Sequence, residues 1–94
     1  MARHLHIVIV GLVQGVGYRA AFARKGNALQ MSGWVRNRID GSVEAVVCGN
    51  AEALDQMVDW AHHGPAGAQV SAVTVKEMAD LTGARDRIEI LPTE

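Results

Sequence analysis

The chain has 94 residues, of which 49% are apolar and 20% are charged, and this composition is typical of one small globular domain. Its net charge is −1 and only 4% of its residues are aromatic, so we expect no binding to nucleic acid or to an anionic membrane. A single cysteine excludes an internal disulfide. A secreted domain of this size would usually carry several disulfides, and no apolar stretch approaches the roughly 20 residues that span a bilayer, so we expect a soluble, cytoplasmic protein.

The hydrophobic pattern predicts seven elements in chain order. Residues 5–10 are rich in β-branched side chains and predict a strand, which the glycines of residues 11–17 end. A helix over 18–29 follows, with Gly26 on its apolar face. Two strands, 33–39 and 42–49, flank Asp40-Gly41, a pair typical of a type I′ turn with positive φ at both residues. The remaining elements are a helix from Asn50 to Gly64, a strand over 70–76 and, after a polar connection over 78–86, a short strand over 87–91.

The element order βαββαβ predicts a ferredoxin-like α+β sandwich. In this fold an antiparallel sheet carries both helices on one face, and the seventh element adds a short C-terminal strand. The pattern does not say where that strand joins the sheet. Since this fold serves many functions, the candidate site has to come from particular residues.

The first candidate segment lies between the first strand and the first helix. Its glycine-rich turn can direct backbone N–H groups at an anion, and the N-terminus of the following helix adds a positive dipole end. Arg19, in the first helical turn, has a guanidinium that can bind two phosphate oxygens at once. Taken alone, the same residues also fit an ordinary turn followed by a surface arginine.

The second candidate residue is Asn37, near the end of the strand that follows the first helix. Its amide can both donate and accept, so it can hold a water molecule beside a phosphate oxygen. An asparagine at a strand end also fits a residue that merely completes a hairpin.

Together the two segments resemble the two signatures of the acylphosphatase family. The first signature is a Gly-x-Val-Gln-Gly-Val-x-aromatic-Arg run, matched by Gly11, Val13, Gln14, Gly15, Val16 and Arg19. The second is a Gly-aromatic-Val-x-Asn run with later glycines, matched by Gly33, Trp34, Val35, Asn37, Gly41, Val43 and Gly49. The similarity continues through Gly64-Pro65, Ala68, Val70 and Val73, and so spans almost the whole chain.

The resemblance implies a hydrolase that cleaves small acyl phosphates to a carboxylate and phosphate, with no metal and no cofactor. It implies that Arg19 binds the phosphoryl group and that Asn37 positions the attacking water. It further implies that the phosphate oxygens are held by the backbone N–H groups of Gln14, Gly15, Val16, Gly17 and Tyr18. Because a carboxylate leaves easily, the reaction needs little general-acid help.

This chain departs from the family pattern at two positions. Tyr18 replaces a phenylalanine that is common in the family, and its hydroxyl needs a partner. Gln30 replaces a glycine at the end of the first helix, so the same helix end would require positive φ at Gln30.

Alternatives remain at this point. A non-catalytic ferredoxin-like domain that binds phosphate or another small ligand would show the same loop. An RNA-binding module shares βαββαβ, but the first and third strands lack aromatic residues. The N-terminal domain of a hydrogenase-maturation carbamoyltransferase is also similar. Because no zinc-finger segment follows, we expect one standalone, monomeric domain over residues 1–94.

His4 and His6 share a strand face, but no third ligand is identifiable, so we expect no metal site.

Overall fold

The computed structural model describes residues 3–79 and 86–94 and contains every predicted element among them. Residues 80–85, within the predicted polar connection, lie outside the described residues. The elements are β1 (Arg3–Leu12), α1 (Tyr18–Ala28), β2 (Ser32–Asn37), β3 (Val43–Gly49), α2 (Ala51–Ala61), β4 (Gln69–Met78) and β5 (Ile88–Ile90).

One five-stranded sheet, in the order β4-β1-β3-β2-β5, forms the base of the molecule. Its pairs are antiparallel except that β5 runs parallel to β2, with Gly33 opposite Ile88 and Val35 opposite Ile90. The ferredoxin-like prediction is therefore confirmed. The final strand, whose place the sequence left open, makes the sheet mixed and extends it on the side of β2.

Both helices pack on the sheet face to which the alternating apolar residues point. In β1 this alternation buries Leu5, Ile7 and Ile9. Phe22 from α1 and Met57 from α2 are fully buried against that face. Gly26 brings α1 close to β5, because a Cβ atom there would lie 1.9 Å from Cδ1 of Ile88. Glycine at this position therefore allows the helix to lie close to the sheet.

The first strand does not end at Gly11 as the glycine pattern predicts. β1 continues through Leu12 and pairs with β4, with a register shift between Val10 and Gly11. Gly11 has φ of 138°, and a Cβ atom there would lie 2.2 Å from the backbone oxygen of Gln69. This glycine therefore permits close backbone approach at a bulge rather than ending the strand.

The hairpin at Asp40-Gly41 is present, but the predicted type I′ turn is wrong. Asp40 does not have positive φ, whereas Gly41 does, at 97°. The loop has three residues and is closed by the Arg38 N–H donating to the Ser42 oxygen at 2.8 Å, while the Gly41 N–H donates to the Arg38 oxygen. The Asp40 carboxylate explains the change, because Oδ1 accepts from both the backbone N–H and the hydroxyl of Ser42.

The end of α1 confirms the expectation for Gln30, which has φ of 61° and is the only non-glycine residue with positive φ in the described chain. The Met31 N–H donates to the Gly26 oxygen at 2.9 Å, and the Gln30 N–H donates to the Asn27 oxygen at 3.0 Å. These two bonds define a Schellman motif in which Gln30 occupies the position that glycine usually takes.

Candidate active site

The loop between β1 and α1 has the backbone geometry of an anion-binding turn. Gly15 and Gly17 have φ of 76° and 79°, while Val16 between them does not have positive φ. This alternation is typical of a turn whose successive N–H groups converge on one side. A Cβ atom built on either glycine meets nothing within 4 Å, so glycine is needed here for its backbone conformation and not for space.

Helix α1 begins directly behind this loop with an uncompensated positive end. Gly17 is its N-cap and supplies no side-chain hydrogen bond, and no acidic residue stands in the first turn. The free N–H groups and the helix dipole are therefore available to an anion. Arg19 lies in the same turn, half-buried, and makes no ion pair with residues 3–79 or 86–94. Its guanidinium therefore has no carboxylate partner within the part of the chain that the structure describes.

Asn37 closes the opposite side of the site from the end of β2. The alternation of β2 turns Val35 and Asn37 toward the helices, and Asn37 is only 9% exposed. Its side-chain oxygen, Oδ1, is buried without a hydrogen-bond partner in the described structure. An unsatisfied buried acceptor is costly, so this oxygen is available to a donor such as a water molecule.

A cavity of about 170 Å³ brings Gly15, Gly17, Tyr18, Arg19 and Asn37 together. This volume is below the roughly 300–1,000 Å³ typical of drug-sized ligands, and suits a small anionic group. Three lining residues were not predicted, namely Val13, Ala20 and Ile90. No sequence signal marks Ile90, since it reaches the cavity only because β5 joins the sheet beside β2.

Two other predicted loop residues do not line the cavity. The Gln14 side chain turns away, and its Nε2 donates to the backbone oxygens of Arg38 at 2.7 Å and Ser42 at 2.9 Å. It therefore ties the loop to the hairpin that follows Asn37. Val16 packs its side chain against the core and so anchors the loop. The roles of their backbone N–H groups in phosphate binding stay predictions.

Tyr18 borders the cavity at the start of α1, but its side chain is buried and its hydroxyl points to α2. The Oη atom donates to the Ala61 oxygen at 2.8 Å, which supplies the partner that this hydroxyl needs. Burial raises the pKa of Tyr18 well above its usual value. The phenol therefore stays neutral and serves packing, with the Trp60 ring centroid 5.3 Å from its own.

A network of charged side chains lies on the face of the sheet opposite to the Asn37 side chain. Glu44 accepts from the Arg36 Nε at 2.9 Å and lies 2.7 Å from the His6 Nε2, and Arg36 also donates to Glu94. Burial alone would raise the pKa of Glu44, but the hydrogen bonds from His6 and Arg36 outweigh it and hold that pKa below its usual value. The network stabilises the strand that carries Asn37.

Fold and site together define a small ferredoxin-like protein with a small cavity, suited in size and lining to an anionic group, at the start of its first helix. The family model described as acylphosphatase matches residues 5–89. An acylphosphatase from Azoarcus sp. (strain BH72) is 52% identical over 85 residues, which cover 90% of this chain and 85% of that protein. An acylphosphatase from Methylococcus capsulatus is 44% identical over 89 residues, covering 95% and 96% of the two chains.

A solved structure agrees with these relatives. The crystal structure of acylphosphatase from Bacillus subtilis superposes with a TM-score of 0.89 and 33% identity, covering 97% of this chain and 99% of that one. This chain therefore belongs to the acylphosphatase family. The predicted activity, that of an acylphosphatase hydrolase, is confirmed at the level of the family. The family implies an acyl phosphate as substrate and phosphate as product.

Among the described residues, no helix has the length and apolar character to cross a membrane.

Proposed function

We propose that this chain is a single-domain acylphosphatase in which Arg19 and the loop bind the phosphoryl group and Asn37 orients the attacking water. The observation that carries the proposal is the pairing, among the described residues, of one guanidinium that has no carboxylate partner with one buried, unpartnered amide oxygen across a small cavity. The converging N–H groups of the loop and helix complete a positive environment for the phosphate oxygens.

The reaction is an in-line displacement at phosphorus. The water oxygen forms a bond to phosphorus, the bond between phosphorus and the acyl oxygen breaks, and the electron pair leaves on the carboxylate. A carboxylate is a weak base, so it departs without protonation. Arg19 and the N–H groups stabilise the charge on the equatorial oxygens.

The proton of the water goes to a phosphate oxygen of the substrate. No aspartate, glutamate or histidine is among the described residues that line the cavity, so the substrate oxygen is the base within reach. Asn37 Oδ1 accepts a hydrogen bond from the water and so directs the lone pair of the water oxygen at phosphorus. Such positioning can contribute about 10²-fold or more to the rate.

We further propose that the protein acts in the cytoplasm as a monomer, on small acyl phosphates, without a metal or cofactor. The reaction derived above assigns each step to this chain or to the substrate and leaves no step for a metal. The near-neutral charge gives no reason to expect a nucleic acid or membrane partner.

The test is a hydrolysis assay of acetyl phosphate and benzoyl phosphate against the monoester p-nitrophenyl phosphate. We expect turnover of both acyl phosphates, little turnover of the monoester and no effect of EDTA. Arg19→Gln should lower kcat/KM by about 10³-fold. Phosphate binding without turnover would instead favour the non-catalytic regulatory domain. Inhibition by EDTA would refute the metal-free mechanism.

A further inference from the structure

A second and larger cavity lies beside the proposed active site. It has a volume of about 620 Å³ and runs between α1 and the β5 strand. Ala20 and Ile90 line both cavities, so the two spaces adjoin. We call the larger one the α1–β5 groove. A substrate whose phosphate lies in the small cavity has this groove as a path for its acyl part.

The walls of the α1–β5 groove combine an apolar side with positive charge. Ala20, Ala23 and Arg24 present one helical face to it, and Ile90 lies opposite with 49% of its surface exposed. Arg24 lies four residues beyond Ala20, about 6 Å along the helix axis. A group attached to the carbonyl of a bound acyl phosphate thus passes apolar surface before it reaches a guanidinium.

The charges around the groove favour an anion at its far end. Arg24 is exposed and forms no ion pair with any described residue, and Arg87 also borders the groove. Glu89 borders it as well, but has a partner of its own. A guanidinium binds a carboxylate or phosphate through two parallel hydrogen bonds, which an ammonium or a neutral amide cannot reproduce.

The far end of the groove is firmly built. Asn27 Oδ1 accepts from the Ile88 N–H at 2.7 Å, and its Nδ2 donates to the Ile88 oxygen at 3.4 Å. Together with the close approach at Gly26, these bonds fix the separation of α1 from β5. The groove is therefore part of the folded structure.

We propose that the α1–β5 groove binds the acyl part of the substrate and that Arg24 selects acyl phosphates carrying a second anionic group. Arg24 is then a residue that determines specificity, separate from the chemistry at phosphorus. The inference rests on the proposed function and adds the substrate class to it.

The experiment compares benzoyl phosphate with 4-carboxybenzoyl phosphate, and hexanoyl phosphate with the monophosphate of adipic acid. Within each pair the two substrates differ by one terminal carboxylate. The measured quantity is the kcat/KM of the substrate with the terminal carboxylate divided by the kcat/KM of the substrate without it. The variants are Arg24→Gln and Arg24→Glu.

Lys25→Gln and Lys25→Glu are matched controls. They change the net charge equally at the adjacent residue, but Lys25 borders a different surface, beside Gln56, Asp59 and Trp60. We expect Arg24→Gln to lower the ratio about three- to fivefold, as for one exposed charge pair, and Arg24→Glu to lower it further. The Lys25 variants should give the same ratio as the parent protein.

An equal effect of the Arg24 and Lys25 variants, or no effect in either substrate pair, would overturn the inference while leaving the proposed function standing. Failure to hydrolyse all four substrates would overturn the proposed function and, with it, the inference.

Discussion

The end of helix α1 offers a direct test of the backbone argument through Gln30→Gly. Gln30 is exposed, has φ of 61° and completes a Schellman motif. A residue with a Cβ atom pays roughly 1–2 kcal/mol in this region of φ and ψ. Glycine removes that cost but gains about 0.4–1 kcal/mol of freedom in the unfolded chain. We therefore expect a net gain of about 0.5–1 kcal/mol in the free energy of unfolding.

This gain converts into a measurable change of Tm. The entropy of unfolding is about 2.1 cal/mol/K per residue, or about 0.2 kcal/mol/K for a chain of 94 residues. Gln30→Gly should therefore raise Tm by about 2–5 °C. The measurement is reversible thermal unfolding followed by circular dichroism, with kcat as a check that the active site is unchanged.

Two further variants make the test specific. Gln56→Gly is the same substitution at an exposed position inside α2, where glycine lowers helix stability by up to about 1 kcal/mol, so Tm should fall. Gln30→Ala removes the side chain but keeps the Cβ atom and should leave Tm nearly unchanged. The reasoning is refuted if Gln30→Gly gives no gain, or if Gln30→Ala gives the same gain.

The remaining predictions concern the loop and the charged network. Gln14→Glu replaces a hydrogen-bond donor by an acceptor that faces two backbone oxygens of the hairpin. We expect a loss of roughly 1–2 kcal/mol, which lowers Tm by about 5–10 °C, and a lower kcat. Unchanged Tm and kcat would show that these two hydrogen bonds do not hold the loop to the hairpin. The pKa of Glu44 is lower in the folded protein than in the unfolded chain. Its ionised carboxylate therefore adds to the free energy of unfolding above the unfolded pKa of about 4.3, and this stabilisation is lost as the pH falls through the folded pKa. The difference in Tm between the parent protein and Glu44→Gln should thus shrink on acidification from about pH 5 to pH 3; a constant difference would contradict the assigned pairing with His6 and Arg36.

Local patterns in the sequence predicted the element order because apolar periodicity and helix caps act over a few residues. The cap at Asn50 is an example, since its side-chain oxygen accepts from the Ala53 N–H at 2.8 Å as an N-cap should. The positive φ at Gln30 was predicted through the family resemblance instead, because the family has glycine at this helix end. The type of the hairpin turn was not predicted correctly. The same dipeptide fits two kinds of turn, and the hydrogen bond accepted by the Asp40 side chain favours the one without positive φ at Asp40.

Long-range features of the site were beyond local reasoning. The place of β5 depends on parallel pairing with β2, and that pairing brings Ile90 to the cavity. The hydrogen bonds of the Gln14 side chain were not predicted, because its partners are 24 and 28 residues away along the chain. Arg19 and Asn37 were predicted through the family resemblance, and the structure brings both to one cavity. Their separate roles stay predictions.

The most direct test of the central claim measures Asn37→Ala in two ways, by kcat on acetyl phosphate and by the inhibition constant of free phosphate. If Asn37 orients the water while Arg19 and the loop hold the phosphate, kcat should fall by about 10²-fold or more. The inhibition constant should then stay within about threefold of the parent value. Undiminished turnover, or an equal loss of phosphate affinity, would contradict the account.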